Sequence, residues 1–286
     1  MKNQKGFTLV ELMISAVIGI FLMASLMNLF ITTNKSITLS EALSQNQESG
    51  RFAMDYMTKF IRQAGYSSNS EHNLSPILIN TPKMVCTIDA CTSNNPIGAI
   101  SAKGDRLAIP LVASADQAIK SCTGSDVGGP LNGEQLIANV FWVSDGSTDA
   151  PGADTENELR CRTYDFNNGI WLDNAVSIVA NIESFEFQLG LAPNEDSRNA
   201  ARYLNADEVF ADTTGLLDAN SIRSIRIALL TSSQDTLTPN KVQTTRGPRK
   251  YVILDGPLIT TADDDSNLRQ VFSNTIELPN MILTAN

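Results

Sequence analysis

Histidine is nearly missing from this chain of 286 residues: His72 is its only imidazole. That removes most histidine-based acid–base chemistry and metal ligation. A serine triad would have to use His72, which sits in the polar segment Glu71-His72-Asn73. The chain also has no G-x-S-x-G elbow, no P-loop and no H-E-x-x-H pattern. We therefore expect no enzyme, no cofactor and no resident metal. Basic residues are scarce, with 21 Lys+Arg against 31 Asp+Glu and a net charge of −10. Nonspecific nucleic-acid affinity comes from cations neutralising phosphates, so the chain is a poor general DNA binder. Proline is absent from residues 7–64, so nothing there forbids one uninterrupted helix. A mean hydropathy of −0.07 excludes a polytopic membrane protein and a mostly disordered chain, but that average hides a lopsided distribution.

From Phe7 to Ile31 the only charged residue is Glu11, and Lys2 and Lys5 precede the run. Twenty-five residues exceed the roughly 20 that a helix needs to cross a bilayer. A cleaved secretory signal has a shorter apolar core, about 7–15 residues, that ends at small residues. The basic residues before the span predict a cytoplasmic N-terminus and an exported remainder. A carboxylate inside such a span costs roughly 2.5–3.5 kcal/mol, which marks Glu11 as functional.

The string Gly6-Phe7-Thr8-Leu9-Val10-Glu11 resembles the signal of type IV pilins and type II secretion pseudopilins. The resemblance implies that a prepilin peptidase cuts between Gly6 and Phe7. It also implies N-methylation of Phe7 as the new N-terminus, and a role for Glu11 in docking the subunit into a filament. Many major pilins have a proline inside the apolar helix; the corresponding stretch here, Leu26 to Phe30, has none.

Beyond Thr32 the sequence turns polar but keeps helical periodicity. Phe52, Tyr56 and Phe60, with Ala53, Met57, Ile61 and Ala64, predict an apolar stripe, and Gly65 is a C-cap candidate. Gly50 is the expected soft point. The remainder reads as β. Leu107, Ile109 and Leu111 alternate beside Pro110, which suggests an edge strand, and Leu136 to Val143 reads as a strand buried on both faces. Phe185/Phe187/Leu189 alternate with polar residues, as do Ile225/Ile227/Leu229; Tyr251 to Leu254 and Phe272 to Leu278 complete the set. Short helical turns are expected near 205–211. The expected class is α+β: a long N-terminal helix against an antiparallel sheet with large loops. The expected segments are 1–6 (leader), 7–34 (membrane or filament-core helix), 35–65 (amphipathic continuation) and 66–286 (head).

Several head segments are similar to PilW-type minor pilins: Arg62 to Tyr66, Ile182 to Gln188, Arg202 to Asp207, 222–230, and Arg269 to Leu278. That resemblance implies a type IV pilin fold and a non-catalytic subunit of a tip or priming complex. The implied partners are other minor pilins, the major pilin, the prepilin peptidase, the inner-membrane platform, its assembly ATPase and membrane lipid. The implied location is the inner membrane with a periplasmic head, and then the pilus. Other readings are a J-type pseudopilin of type II secretion, or a tip adhesin or DNA receptor.

Four cysteines allow three pairings. Export permits disulfides, and we expect Cys86–Cys91, which are close in sequence, with Cys122–Cys161 as the remainder. No cysteine follows Cys161, unlike many major pilins, which close a C-terminal loop with one. Acidic clusters at Asp145/Asp149/Asp154 and Asp263/Asp264/Asp265 lack EF-hand spacing and read as solvated loops. Trp142 and Trp171 read as core or loop anchors.

Overall fold

The structure, a computed structural model, describes residues 8–67, 74–78, 91–94, 103–144, 157–194, 197–210, 221–233, 248–261 and 267–281. His72, Cys86, Asp145, Asp149, Asp154 and Asp263–Asp265 lie outside these, as do Gly6 and Phe7.

Helix α1 runs unbroken from Leu9 to Ile61, 53 residues, or about 80 Å at roughly 1.5 Å per residue. Its first half touches nothing in the head. Its second half buries Ala42, Asn46, Gly50, Ala53, Met54, Met57, Phe60 and Ile61, a helical i, i+4, i+3 progression. The expected stripe is buried at Ala53, Met57, Phe60, Ile61 and Ala64, with Tyr56 half-buried against the core. Phe52 is 53% exposed and sits at the rim of an aromatic ladder. The ladder continues through Tyr56 and Phe60 to Phe141, with ring centroids 6.0, 5.1 and 5.8 Å apart. Nor is Gly50 a soft point. A Cβ there would lie 2.2 Å from the Phe272 ring, so the glycine is a seat for that ring within continuous helix.

The helix ends at Arg62. Gly65 adopts φ +74° just beyond it, the left-handed conformation glycine takes without steric cost. The Asn280 amide donates to the carbonyls of Arg62 and Ala64 at 3.3 and 3.2 Å. The C-terminal turn thereby satisfies carbonyls that a helix end leaves without partners.

The head carries β1 (Leu107–Ala113), β2 (Ala118–Lys120), β3 (Asp126–Gly128), the short helix α2 (Gly129–Asn132), β4 (Gln135–Val143), β5 (Glu158–Asp165), β6 (Ile170–Trp171) and β7 (Val176–Ala180). It continues with β8 (Ile182–Leu191), β9 (Arg202–Leu204), α3 (Ala206–Phe210), β10 (Ile222–Ser232), β11 (Lys250–Tyr251), β12 (Ile259–Thr260), β13 (Arg269–Glu277) and a 3-10 turn, Pro279–Met281. Where one sheet was expected there are two larger ones. One has the order β1-β4-β5-β6 with β7 also on β5; the other has β13-β10-β8-β9. β2–β3 and β11–β12 are small hairpins.

β1 is an edge strand containing Pro110, and β4 lies between β1 and β5 with Ile137 to Val143 all buried. The sheets meet where Asn181, at φ 67°, turns β7 into β8. They are also stitched by backbone bonds between 103–105 and Phe185. One core joins α1 to both sheets through Met57, Phe60, Phe141, Val143, Phe185, Phe187, Ile227 and Ile276. Trp142 is buried in a second cluster behind β4, and Trp171 stacks edge-on against Tyr164.

Candidate assembly surface on the long helix

The first turn of α1 is built around Thr8 and Glu11. Thr8 is extended (φ −83°, ψ 153°) and caps the helix. Its backbone N–H and hydroxyl both donate to Glu11 Oε2 at 3.0 Å, and the Glu11 N–H donates to Thr8 Oγ1 at 3.3 Å. This reciprocal capping box pairs donors that a helix start leaves open. It also puts a carboxylate at the N-terminal turn, the end of a helix that favours negative charge. The sequence placed Glu11 in the apolar span; its use as a cap partner was not foreseen, although T-x-x-E ahead of an apolar run is the signature.

After Glu11 the helix has no charge until Lys35. An 18-residue window reaches a mean hydropathy of 2.3 with none of it buried in the protein. Leu9, Phe21 and Met23 are more than 70% exposed. Four hydroxyls along the helix are satisfied within it. Ser15, Ser25, Thr32 and Thr38 donate to the carbonyls of Glu11, Phe21, Asn28 and Asn34 at 2.7–2.9 Å. Such back-bonding is what a hydroxyl needs in a medium without water. The span therefore suits lipid, or the flanks of other apolar helices.

Disulfide expectations meet the structure in part. Cys122 and Cys161 are bonded, with Cα atoms 6.3 Å apart, and the bond joins the segment after β2 to β5. The Tyr56 hydroxyl donates to the Cys122 carbonyl at 2.6 Å, so helix, disulfide and sheet are locked together. Cys91 is disulfide-bonded too; its expected partner, Cys86, lies outside the described residues.

One cluster escaped the sequence reading. Glu186 alternates with Phe185 and Phe187 and was read as part of a polar strand face, yet it is 2% exposed. Gly104 and Gly256 press backbone against it. Burial, then the neighbouring Asp105 and Asp255, pushes its carboxyl up to about 9, so it is neutral at physiological pH. Asp105 accepts from the Phe187 N–H at 3.0 Å. The visible signal was Gly104-Asp105 and Asp255-Gly256, where a glycine beside each acid permits close approach. The arrangement pins the β11–β12 hairpin over β8.

Residues 140–280 match the family described as Type IV Pilus-assembly protein W. Residues 1–27 match the prokaryotic N-terminal methylation motif. No curated protein matches the sequence. Among solved structures, a type IV-like pilin from Thermus thermophilus is similar over 85% of this chain and 96% of its own, at 14% identity and a TM-score of 0.41. The PilW match in the head and the prepilin methylation motif that opens the apolar helix together support a PilW-like type IV minor pilin.

Proposed function

We propose that this minor pilin acts in a tip complex that primes pilus assembly in the inner membrane. Lys2 and Lys5 hold the N-terminus in the cytoplasm and the head faces the periplasm. Prepilin peptidase removes residues 1–6, and Phe7 becomes the methylated N-terminus. The subunit then comprises a membrane and filament-core helix (7–34), its amphipathic continuation (35–65) and the head (66–286). Glu11 meets the Phe7 amine of a neighbouring subunit. Pairing two charges that are each costly in lipid offsets that cost and fixes the axial step between subunits.

The observation that carries the tip assignment is the head's bulk. Two sheets and two hairpins stand on one end of a single helix. Packing such a head at every filament position is sterically demanding, whereas a tip position has no subunit above it. The role is structural. Energy for extension comes from the assembly ATPase acting through the platform protein, and the major pilin adds below.

Two measurements test this. Glu11→Ala is expected to be processed and inserted normally yet to lower pilus number at least tenfold, and wild-type piliation by that variant would sink the mechanism. Thr8→Ala, which removes the cap but keeps the carboxylate, controls for fraying. Gold labelling of a head epitope is expected at filament ends; label spaced along the shaft contradicts the tip position.

A further inference from the structure

The bond between Cys122 and Cys161 and the bond made by Cys91 stand on opposite faces of one sheet. On β4 and β5, Asn139 pairs with Thr163 and Phe141 with Cys161. Side chains two apart share a face, and this is the face toward α1, where Phe141 meets Phe60. Cys122 lies over it. Its N–H donates to Asn139 Oδ1 at 3.0 Å, and its sulfur bonds to Cys161. Cys91 packs instead with Ala138, Val140, Trp142 and Tyr164, the alternate positions of the same strands.

Helix α1 covers the Cys122–Cys161 bond. Both cysteines share a core with Ala53, Met57 and Phe60. The Tyr56 hydroxyl donates to the Cys122 carbonyl at 2.6 Å. Cys122 is 2% exposed and Cys161 is fully buried. Thiol–disulfide exchange proceeds by attack of a thiolate on sulfur through a mixed disulfide, so it needs access and room for a second molecule at the sulfur. The closed head leaves neither. The oxidant that made this bond therefore met the two cysteines in an open head.

Two elements cover the sulfurs: α1, and the β2–β3 hairpin that carries Cys122. Polar bonds tie the hairpin down. Besides Cys122 to Asn139, the Thr123 hydroxyl donates to Asp173 Oδ2 at 2.7 Å, the Gly128 N–H to Gln135 Oε1 at 2.9 Å, and the Gly129 N–H to the Ser114 carbonyl at 2.7 Å. α1 meets this face through apolar packing and the Tyr56 hydroxyl. Chain order separates the two as well. The sheet that holds both cysteines is built from strands between Leu107 and Ala180. The seat of α1 also needs Phe187, Ile227, Phe272, Ile276 and the Asn280 amide. Contacts close in sequence cost less loop entropy to form, so the sheet assembles before α1 has its full seat.

We propose that Cys122 and Cys161 are oxidised while α1 is still off the β1–β7 sheet, and that docking of α1 through Tyr56 then seals the bond against exchange. The reaction placed before head closure is exchange with a disulfide-bearing oxidant. One cysteine thiolate attacks the oxidant's disulfide and displaces one of its thiolates. The other cysteine thiolate attacks the mixed disulfide. The Cys122–Cys161 bond forms, and the oxidant leaves with its disulfide reduced to two thiols. The inference rests on neither the tip position nor the filament role.

The test uses the full chain in detergent and reads both bonds in each sample. The native protein meets dithiothreitol, freed thiols are alkylated at intervals, and each cysteine is quantified by peptide mass spectrometry. Tyr56→Phe keeps the ring and deletes the hydroxyl. It is expected to speed reduction of Cys122–Cys161 about fivefold and to leave the Cys91 bond unchanged. Thr123→Val, which loosens the hairpin, is expected to move neither bond. Equal speeding of both bonds means global opening and overturns the proposal. So does a Tyr56→Phe rate equal to wild type, or a larger effect from Thr123→Val. A second measurement needs no variant. The reduced wild-type chain refolds from denaturant with glutathione disulfide, and timed samples are alkylated and given a brief trypsin pulse. The Cys122–Cys161 bond is expected to appear before Lys59 and Arg62 become protected from cleavage. Protection that precedes the bond overturns the order.

Discussion

From Leu9 to Ile31, α1 exposes every large apolar side chain it carries; from Ala42 to Ile61 the same helix buries a residue at almost every turn. The backbone is identical in the two halves, so hydrogen bonding does not distinguish them. The difference lies in the distribution of side chains. The first half is apolar all round, which suits lipid or a bundle of like helices. The second is apolar on one stripe and offers small residues, Ala42, Gly50 and Ala53, where the sheets come close. One half is held in shape by its own cap and back-bonded hydroxyls, the other by the head.

The sharpest way to break that comparison is to make one substitution in both halves. Phe60 is 3% exposed against Phe141, whereas Phe21 is 76% exposed. Phe60→Ala is expected to destabilise the head by about 3–5 kcal/mol. Phe21→Ala is expected to leave head unfolding unchanged, both measured by denaturant titration of the detergent-solubilised protein. A large effect of Phe21→Ala would mean that the halves are energetically coupled.

Gly50 sharpens the boundary next. Gly50→Leu drives side-chain atoms into the Phe272 ring and is expected to cost about 1–3 kcal/mol by overpacking. Gly19→Leu, where nothing lies within 4 Å, is expected to be neutral for the head. A neutral Gly50→Leu would restore the soft-point reading of that glycine.

The rod was legible in the sequence because its environment is uniform: any apolar side chain fits lipid, so composition alone identified it. Strand positions were legible where alternation was clean, as in β8 and β10, and where a run was apolar but for one residue, as at Asn139 in β4. β5 was missed because Arg160, Arg162 and Thr163 interrupt its pattern. These polar side chains find partners only in the folded head: Arg162 donates to the Asp173 carbonyl at 2.7 Å and Thr163 to Asn139 at 3.1 Å. Phe52 was placed in a stripe that is otherwise buried, and the extension of that stripe toward the N-terminus was missed because Asn46 and Gly50, the residues that seat β13, do not look like core. Glu186 was hidden for the same reason. Its burial comes from a hairpin more than sixty residues away, which no local period records.

Glu186 gives the head a pH dependence. Its carboxyl titrates near 9 when folded and near the ordinary 4.5 when unfolded. Between those values the folded state holds a proton that the unfolded state has lost. This contribution is therefore complete below about 4.5, falls as pH rises toward 9, and is level above that. Glu186→Gln, neutral at every pH, is expected to flatten the fall and to gain on the order of 1 kcal/mol at pH 8. Unfolding measured from pH 5 to 9 checks this; a wild-type slope that persists in the variant assigns it elsewhere.

The smallest effect expected is at the other end of the molecule. Thr8→Ala removes the hydroxyl donor to Glu11 and the acceptor of the Glu11 N–H while keeping the backbone donor, costing about 0.5–1 kcal/mol of local helix stability. Because α1 touches the head only from Ala42 onward, the loss is expected to stay local. Amide exchange should quicken at Leu9 to Leu12 in detergent while the head's unfolding midpoint holds. The same variant bears on assembly. Thr8 occupies the carboxylate that the neighbour's amine is proposed to claim, so the cap competes with docking. If Glu11 must leave Thr8 to reach its partner, Thr8→Ala lowers the cost of that exchange, and piliation is expected to be equal to or above wild type. A variant that frays the helix start and also abolishes pili would instead make the cap itself part of the docked state.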